Sequence, residues 1–300
     1  MQGSEISAEI RALDGDTAGL PIGPGSLTWR LLGDRRLLLF LGRTGTLQNM
    51  HPAVGAALQD HSNFFDDPWD RLLRSIPQIL GVIYDVPEQR TALTVRDFHK
   101  NLKGTDPQGR RYHALSPDVF WWTHATFIEV LIAMEEHFGT PLSPAEKNQL
   151  IAEGITWWQQ YGMSMAPVLT DYAEFTAYWD RMLTTALESN ATTDYAVSVS
   201  NRRIPAPPGV PAALWVAAQR PVMTLNVWLL TALMPERGRE ILELSWNRRD
   251  QLAFRVFAGA VRRTWPLLPE RVRFFPRAYE SIRGVRTGRH GYGVLNRISG

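Results

Sequence analysis

Three hundred residues with 44% hydrophobic side chains are enough for a sizeable buried core, in one large domain or two small ones. The chain has no cysteine, which excludes disulfides, thiolate nucleophiles, zinc–sulfur sites and iron–sulfur clusters. A formal net charge of +2 is too small to indicate a nucleic-acid partner.

The first twenty residues contain acids and no long apolar stretch, so we expect a loose arm without a secretory signal. No segment of the chain approaches the roughly 20 uncharged apolar residues of a membrane-spanning helix. A cytoplasmic location is the expectation.

The chain from Pro21 to about residue 103 is predicted to be a series of helices. A glycine-proline turn, PIGPGS, leads into two helical pieces between residues 27 and 50. His51-Pro52 opens a short helix that ends near His61. Two further helices follow, over residues 69–85, where Pro77 is expected to introduce a kink, and over residues 88–103.

Three polar side chains, Arg71, Arg74 and Ser75, lie within one turn of the otherwise apolar helix 69–85. Arg71 and Ser75 are four residues apart and therefore share a face. Two readings stay open, namely an ordinary solvated face or a pocket that holds an anion beside a hydroxyl group.

The stretch 119-VFWWTHATFIEVLIAM-134 is the most apolar of the chain, and Glu129 is its only full charge. Ser116-Pro117 before it predicts a helix start, and apolar residues nearly all round predict burial on more than one side. His124, in its middle, is either a satisfied core residue or a ligand. Before this helix, residues 104–115 carry turn signals that predict a loop or a short hairpin.

The second half of the chain continues the helical pattern. Ser143-Pro-Ala-Glu146 is a capping box, and helices are predicted from there to about 161 and over 171–188, 212–233, 236–244 and 248–264. Residues 189–211 are predicted to be one long irregular connection. We therefore expect an all-α, single-domain helical bundle, globin-like in character, over residues 21–284, followed by a basic tail at 285–300.

Ten arginines lie between Arg255 and Arg297, against only Glu270 and Glu280. One interpretation is a solvated face with a frayed end. The other is peripheral contact with lipid headgroups, because Trp265, Leu267, Leu268, Phe274 and Phe275 are interleaved with the arginines.

Five segments in the order PIGPGSLTWRLLGD, HPAVGAALQDHS, DPWDRLLRS, HKNLKG…G…Y and WWTHATF resemble one family. This is the family of haem-dependent oxygenases typified by the bacterial latex-clearing protein, or rubber oxygenase, and by the fungal oxygenase MpaB. The resemblance covers Pro21 to at least Phe138 and continues more loosely to residue 284.

The resemblance implies a non-covalent haem b with one histidine as proximal iron ligand, and the absence of cysteine agrees with histidine ligation. By position in the family's motif that histidine is His124, and we expect Trp121 and Phe127, with His51 and His61, to lie around the cofactor. Should His124 not be the ligand, His51, His61 and His99 are the next candidates.

The resemblance also implies that Arg71, Arg74 and Ser75 lie on the distal side of the haem, as catalytic residues of the oxygen pocket. This chain has serine where the family has threonine, and arginine where the rubber-cleaving member has lysine. No acid lies at the position of the family's catalytic glutamate. Rubber-like cleavage of a double bond is therefore not carried over with the resemblance.

The expected function is a haem b oxygenase that activates dioxygen to oxidise or cleave a hydrophobic, isoprenoid- or lipid-like small molecule. Two alternatives stay open. One is a haem-free helical protein that binds a lipid or a partner, with His124 as a core residue. The other is a haem protein that only binds a gas. The oligomeric state is unknown.

Overall fold

The computed structural model describes residues 19–288, and its helices begin where the sequence supplies caps. In this part of the chain about 69% of the residues are helical, in 14 helices, with one two-stranded sheet. The all-α prediction is confirmed. The first four helices are α1 (Leu27–Leu32), α2 (Leu41–Asn49), α3 (Pro52–His61) and α4 (Pro68–Tyr84), with a 3-10 turn at Arg35–Phe40 between α1 and α2.

A short helix and a hairpin separate this group from the central helix. They are α5 (Thr91–Asp97), β1 (Lys103–Thr105), β2 (Arg111–His113) and α6 (Pro117–Phe138). The strands are antiparallel, with Gly104 opposite Tyr112. At the turn, Gly109 has a φ of +81°, which favours glycine, and the Asp106 carboxylate accepts from the backbone N–H of Gln108 and Arg110.

Eight helices make up the rest of the described chain. They are α7 (Pro144–Gln160), α8 (Tyr172–Arg181), α9 (Ala191–Ser198), α10 (Ala212–Leu233), α11 (Glu236–Ile241), α12 (Arg248–Thr264), α13 (Glu270–Arg273) and α14 (Pro276–Thr287). The capping box of Ser143 with Glu146 is present. Asn247 and Asp250 form a second one at the start of α12.

Helix α6 is the centre of the core. Trp121, Trp122, Leu131 and Met134 are almost completely buried, and they point to different sides of the helix. It packs against α2, α7, α12 and the 3-10 turn at Arg35–Phe40. The prediction that this helix is buried on more than one side is confirmed, and the surrounding hydrophobic core extends along the chain from Ile22 to Ala278.

Three local predictions differ from the structure. Residues 189–211 are not one irregular connection, because the Asn190 side chain caps α9 by accepting from the N–H groups of Thr192 and Thr193. The helix predicted over residues 88–103 is shorter in the structure, where it is α5. Lys103 is the first residue of β1. Residues 270–287 form α13 and α14, where no helix was predicted. Helix α4 continues through Pro77, and the kink expected there stays a prediction.

The domain limits remain predictions. The arm at residues 1–20 and the tail at 285–300 lie mostly outside the described residues. Among residues 19–288, no helix combines the length and the apolar character that crossing a bilayer requires.

Candidate functional site

Four segments meet at one end of the bundle: the end of α3, the start of α4, the end of α5 and the hairpin. The Arg71 guanidinium donates to Ser62 Oγ at 3.4 Å. The His61 ring nitrogen Nε2 lies 3.2 Å from the carbonyl oxygen of Lys103 and 3.3 Å from the Tyr112 hydroxyl. The sequence resemblance named Arg71 and His61, and the structure brings both into this region.

One ring nitrogen of His99, one residue beyond the capping residue of α5, is held by the backbone. Its Nδ1 lies 2.8 Å from the carbonyl oxygen of Val95, and because a carbonyl only accepts, Nδ1 carries the proton. The lone pair is therefore on Nε2, which has no hydrogen-bond partner within residues 19–288. Ligating histidines commonly hold their other N–H on a backbone carbonyl in this way.

The surroundings of His99 keep its ring neutral. Burial lowers its pKa first, the hydrogen bond to Val95 opposes that effect, and the positive charge of Arg71 lowers the pKa further. The ring is half-buried and meets the Phe120 ring edge-on at 5.5 Å. A neutral imidazole with an open Nε2 can bind a metal without first losing a proton.

Arg71 lines a concave surface. Its side chain is exposed to solvent, yet burial lowers its pKa, with the charge of Arg74 as the second cause. Its positive charge lowers the His99 pKa, so the two side chains are neighbours, and we call the space beside them the cleft.

The other two residues of the predicted distal group are less engaged. Arg74 forms an exposed i,i+4 salt bridge with Asp70 at 2.8 Å. Ser75 is half-buried, and its hydroxyl has no hydrogen-bond partner in the described part of the chain. Helical spacing puts Ser75 on the same face as Arg71, whereas Arg74 is held towards solvent by Asp70.

His124 is occupied differently from His99. It is only 2% exposed, and Nε2 lies 2.9 Å from the carbonyl oxygen of Gly154, so this nitrogen carries the proton and donates it. A side chain at Gly154 would collide with Ile128, and this close approach of α7 brings the carbonyl to the ring. Nδ1 is buried and has no partner among residues 19–288.

Aromatic rings enclose His124. Trp121, Trp157, Trp158 and Tyr161 have centroids 5.3, 5.1, 5.5 and 6.0 Å from the imidazole. Phe127, also expected around the cofactor, stacks on Trp157 at 5.9 Å. The contacts of His124 therefore favour a structural role that pins α6 to α7. Its assignment as an iron ligand stays a prediction, with the geometry weighing against it.

Burial lowers the pKa of His124 to about 4, which predicts acid sensitivity. The pKa of a histidine in the unfolded chain is about 6.5. The unfolded state therefore binds a proton more readily than the folded state as the pH falls from there to about 4, and stability is lost. Above about 6.5 the stability is fully present, and about 3 kcal/mol is lost by pH 4. We expect His124→Gln, which keeps a donor for Gly154, to flatten this part of the stability profile. Urea unfolding at a series of pH values measures it. An equally steep loss in the variant would place the acid sensitivity elsewhere.

His51 caps α3, because its Nδ1 accepts from the N–H of Ala53 at 3.2 Å. Burial and then the positive charge of Arg110 lower its pKa to about 4. With Nδ1 used by the backbone, His51 is placed to start the helix. The sequence resemblance had put it near the cofactor.

The sequence patterns did not single out Asp60. The Tyr112 hydroxyl donates to its carboxylate at 2.5 Å, and burial, followed by this contact, raises the pKa of Tyr112 to about 12. The two residues lie in separate motifs, 52 positions apart, and only the hairpin brings them together. The signal was present, because both motifs carried the resemblance, but spacing along the chain did not connect them.

The influence of Arg71 on His99 can be measured directly. We expect Arg71→Ala to raise the His99 pKa, because a nearby positive charge disfavours protonation of the ring. A ¹H NMR titration of the His99 Cε1 proton in haem-free protein measures the shift. Arg74→Ala is the matched control and should leave His99 unchanged. An equal His99 pKa in the wild type and both variants would show that Arg71 does not lie beside His99.

The described residues contain no group of three or more histidine and carboxylate side chains able to hold a metal ion together. A haem needs only one protein ligand, and the open Nε2 of His99 is a nitrogen of the kind that can serve.

Comparison with known proteins agrees with the resemblance in the sequence. The sequence profile described as "ER-bound oxygenase mpaB/B'/Rubber oxygenase, catalytic domain" matches residues 29–263. No curated protein and no solved structure gives a significant match. The matched segment is most of the chain and contains the cleft and the central helix. The protein belongs to this family of oxygenase catalytic domains, and it is an oxygenase.

Proposed function

We propose that this oxygenase depends on haem b and that His99 is the protein ligand of the iron. The observation that carries the proposal is the hydrogen bond from His99 Nδ1 to the Val95 carbonyl oxygen, which leaves Nε2 open beside Arg71. Haem would supply the activation of dioxygen, which no amino-acid side chain provides.

The side chains of the cleft would bind and orient. Val95 fixes the His99 tautomer and its ring direction. Arg71 supplies a permanent positive charge that can hold a propionate carboxylate or donate to an oxygen atom of dioxygen. Ser75, on the same face of α4, adds a hydroxyl donor.

Tyr112, Asp60 and His61 form a connected polar group at the edge of the cleft. The raised pKa of Tyr112 keeps its hydroxyl protonated, and Asp60 accepts that proton in the hydrogen bond. This pair is available to hold a proton near the cleft, in a chain that lacks the family's glutamate at the matching position.

The proposed substrate is a hydrophobic small molecule of isoprenoid or lipid type. Phe98 lies next to His99 in the sequence and is 60% exposed, which is unusual for a phenylalanine. The Phe120 ring packs edge-on against His99. Apolar side chains beside the proposed ligand favour an apolar substrate.

Spectroscopy and oxygen uptake test the proposal. The protein is expressed with a haem precursor, and we expect one non-covalent haem b per chain in a pyridine haemochrome assay. Oxygen consumption should then start only when a polyisoprenoid or another hydrophobic alkene is added. No Soret band in folded protein would remove haem from the proposal and favour the haem-free lipid-binding alternative. A Soret band without oxygen consumption for any such substrate would favour a gas-binding protein.

A further inference from the structure

The outward face of α12 exposes large apolar side chains that the core does not use. Leu252 and Val256, one turn apart, are 63% and 67% exposed. Phe254 and Ala258 on the opposite face are buried against the core. The helix is therefore held in place by one side, while its other side presents a short apolar ridge to solvent.

Arginines flank this ridge. Arg248, Arg255 and Arg262 are spaced seven residues apart, which puts them in one row along the helix. Arg249 and Arg263 lie on the other side and at the far end. All five are exposed. We call these five arginines with Leu252 and Val256 the arginine-flanked face.

No acid of α12 lies on this face. Asp250, the one acid of α12, is turned to the helix start, where it completes the capping box with Asn247. None of the five arginines forms a salt bridge with a residue between 19 and 288. Arg262 donates only to the backbone carbonyls of Glu136 and His137, at 3.2 and 3.1 Å.

Other apolar groups lie next to α12. In the 3-10 turn that follows, Leu267 is 80% exposed, and Leu268 beside it is exposed as well. Trp228 of α10 has its ring 6.0 Å from both Phe254 and Phe257. It lines a groove of about 550 Å³ with Leu225, Pro221, Thr224 and Arg220.

Fewer apolar residues of the arginine-rich segment are exposed for a lipid contact than the sequence suggested. Phe274 and Phe275 pack against the core, and the Phe275 N–H donates to the carbonyl oxygen of Gly33 at 2.9 Å. Trp265 is half-buried, and its indole N–H donates to Asp34 at 3.2 Å. Of the five interleaved residues, only Leu267 and Leu268 are exposed.

We propose that the arginine-flanked face, with Leu267 and Leu268, docks the protein on an anionic phospholipid bilayer. Leucine and valine side chains can enter the interfacial layer, while arginines beside them reach the headgroup phosphates. A row of unpaired arginines next to an apolar ridge complements a surface that is negative outside and apolar beneath.

Charge also decides against a second copy of the chain as the occupant. A twofold interface through this face would bring two sets of five arginines together without an acid on either side. Like charges at such short distances oppose association. The docking proposal concerns binding alone and stands whether or not haem is bound.

Flotation of the full-length protein with lipid vesicles tests the docking. We expect binding to vesicles of phosphatidylcholine with phosphatidylglycerol at low salt, release as salt rises, and little binding to phosphatidylcholine alone. The double variant Arg248→Glu/Arg255→Glu should bind roughly tenfold more weakly or worse. The double variant Leu252→Ser/Val256→Ser, with unchanged charge, should also bind more weakly.

The matched control is Arg90→Glu/Arg111→Glu, which changes the net charge by the same amount at exposed positions before α5 and in β2. It should retain most of the binding, and the circular dichroism melting curve should confirm that every variant is folded. Equal losses in the control, equal binding to neutral vesicles, or no binding at low salt would overturn the proposal. A dimer in solution that the α12 variants dissociate would overturn the membrane proposal and identify a second copy of the chain as the partner of this face.

Discussion

His99→Ala is expected to purify as a folded protein without a Soret band, and His124→Ala as a less stable protein that still binds haem. The reason lies in which nitrogen of each ring is open. His99 holds its Nδ1 proton on Val95 and leaves Nε2 free, whereas His124 uses Nε2 to donate to Gly154. The pyridine haemochrome assay, normalised to folded protein, measures both outcomes.

A rescue experiment separates ligation from general damage. His99→Gly leaves a space for free imidazole, and we expect added imidazole to restore haem binding in this variant alone. His124→Ala removes a buried ring and its hydrogen bond, so we expect a loss on the order of 3 kcal/mol in the free energy of unfolding. His51→Ala and His61→Ala serve as controls that change the histidines at the two ends of α3.

The opposite pattern is equally clear. Haem retained by His99→Ala and lost by folded His124→Ala would return the iron to the position that the sequence motif indicates. The aromatic enclosure of His124 would then have to open to admit a porphyrin. Near-ultraviolet circular dichroism of the tryptophans, compared with and without haem, would detect that rearrangement.

Helix positions were predictable because their signals are local. Ser143 with Glu146 caps α7 from within four residues, and Pro117 starts α6. The same logic explains why α9 was missed, since Asn190 caps it through its own side chain in a segment otherwise rich in proline. Turn-forming residues on both sides of a capping residue make a short helix hard to recognise in the sequence.

The role of a histidine was not predictable from its surroundings in the sequence. His124 lies in an apolar run, which indicates burial but does not tell which nitrogen is used. That depends on Gly154, thirty residues later on another helix. His99 lies among polar residues and looks like a surface residue, yet its bond to Val95 prepares the ring for a ligand. Tautomer and orientation are set by contacts that sequence patterns do not encode.

The single charge in the apolar run of α6 has a partner that the sequence also concealed. Glu129 receives a bidentate ion pair from Arg43 on α2, with 2.7 Å between Arg43 Nη2 and Glu129 Oε1. The Arg43 side chain is only 2% exposed, and its Nε is buried without a partner in the described residues. The pair joins α2 to the central helix inside the core.

Arg43→Met is expected to lower the free energy of unfolding by about 3–5 kcal/mol, because it leaves the Glu129 carboxylate largely buried without a counter-charge. The double variant Arg43→Met/Glu129→Leu removes both charges, and we expect it to recover most of that loss. Urea unfolding followed by circular dichroism measures the two values. Arg74→Met, which breaks the exposed pair with Asp70, is the control and should cost less than about 1 kcal/mol.

The comparison between the single and the double variant distinguishes two uses of the buried pair. Recovery in the double variant means that the ion pair contributes little net stability, because the cost of removing two charges from water offsets their attraction. A double variant as unstable as Arg43→Met would mean that the contacts of the two side chains, such as Arg43 over the Trp179 ring at 5.9 Å, hold α2 against α6. In both cases Arg43→Met should be far more damaging than Arg74→Met, and similar losses in the two would contradict the burial of this pair.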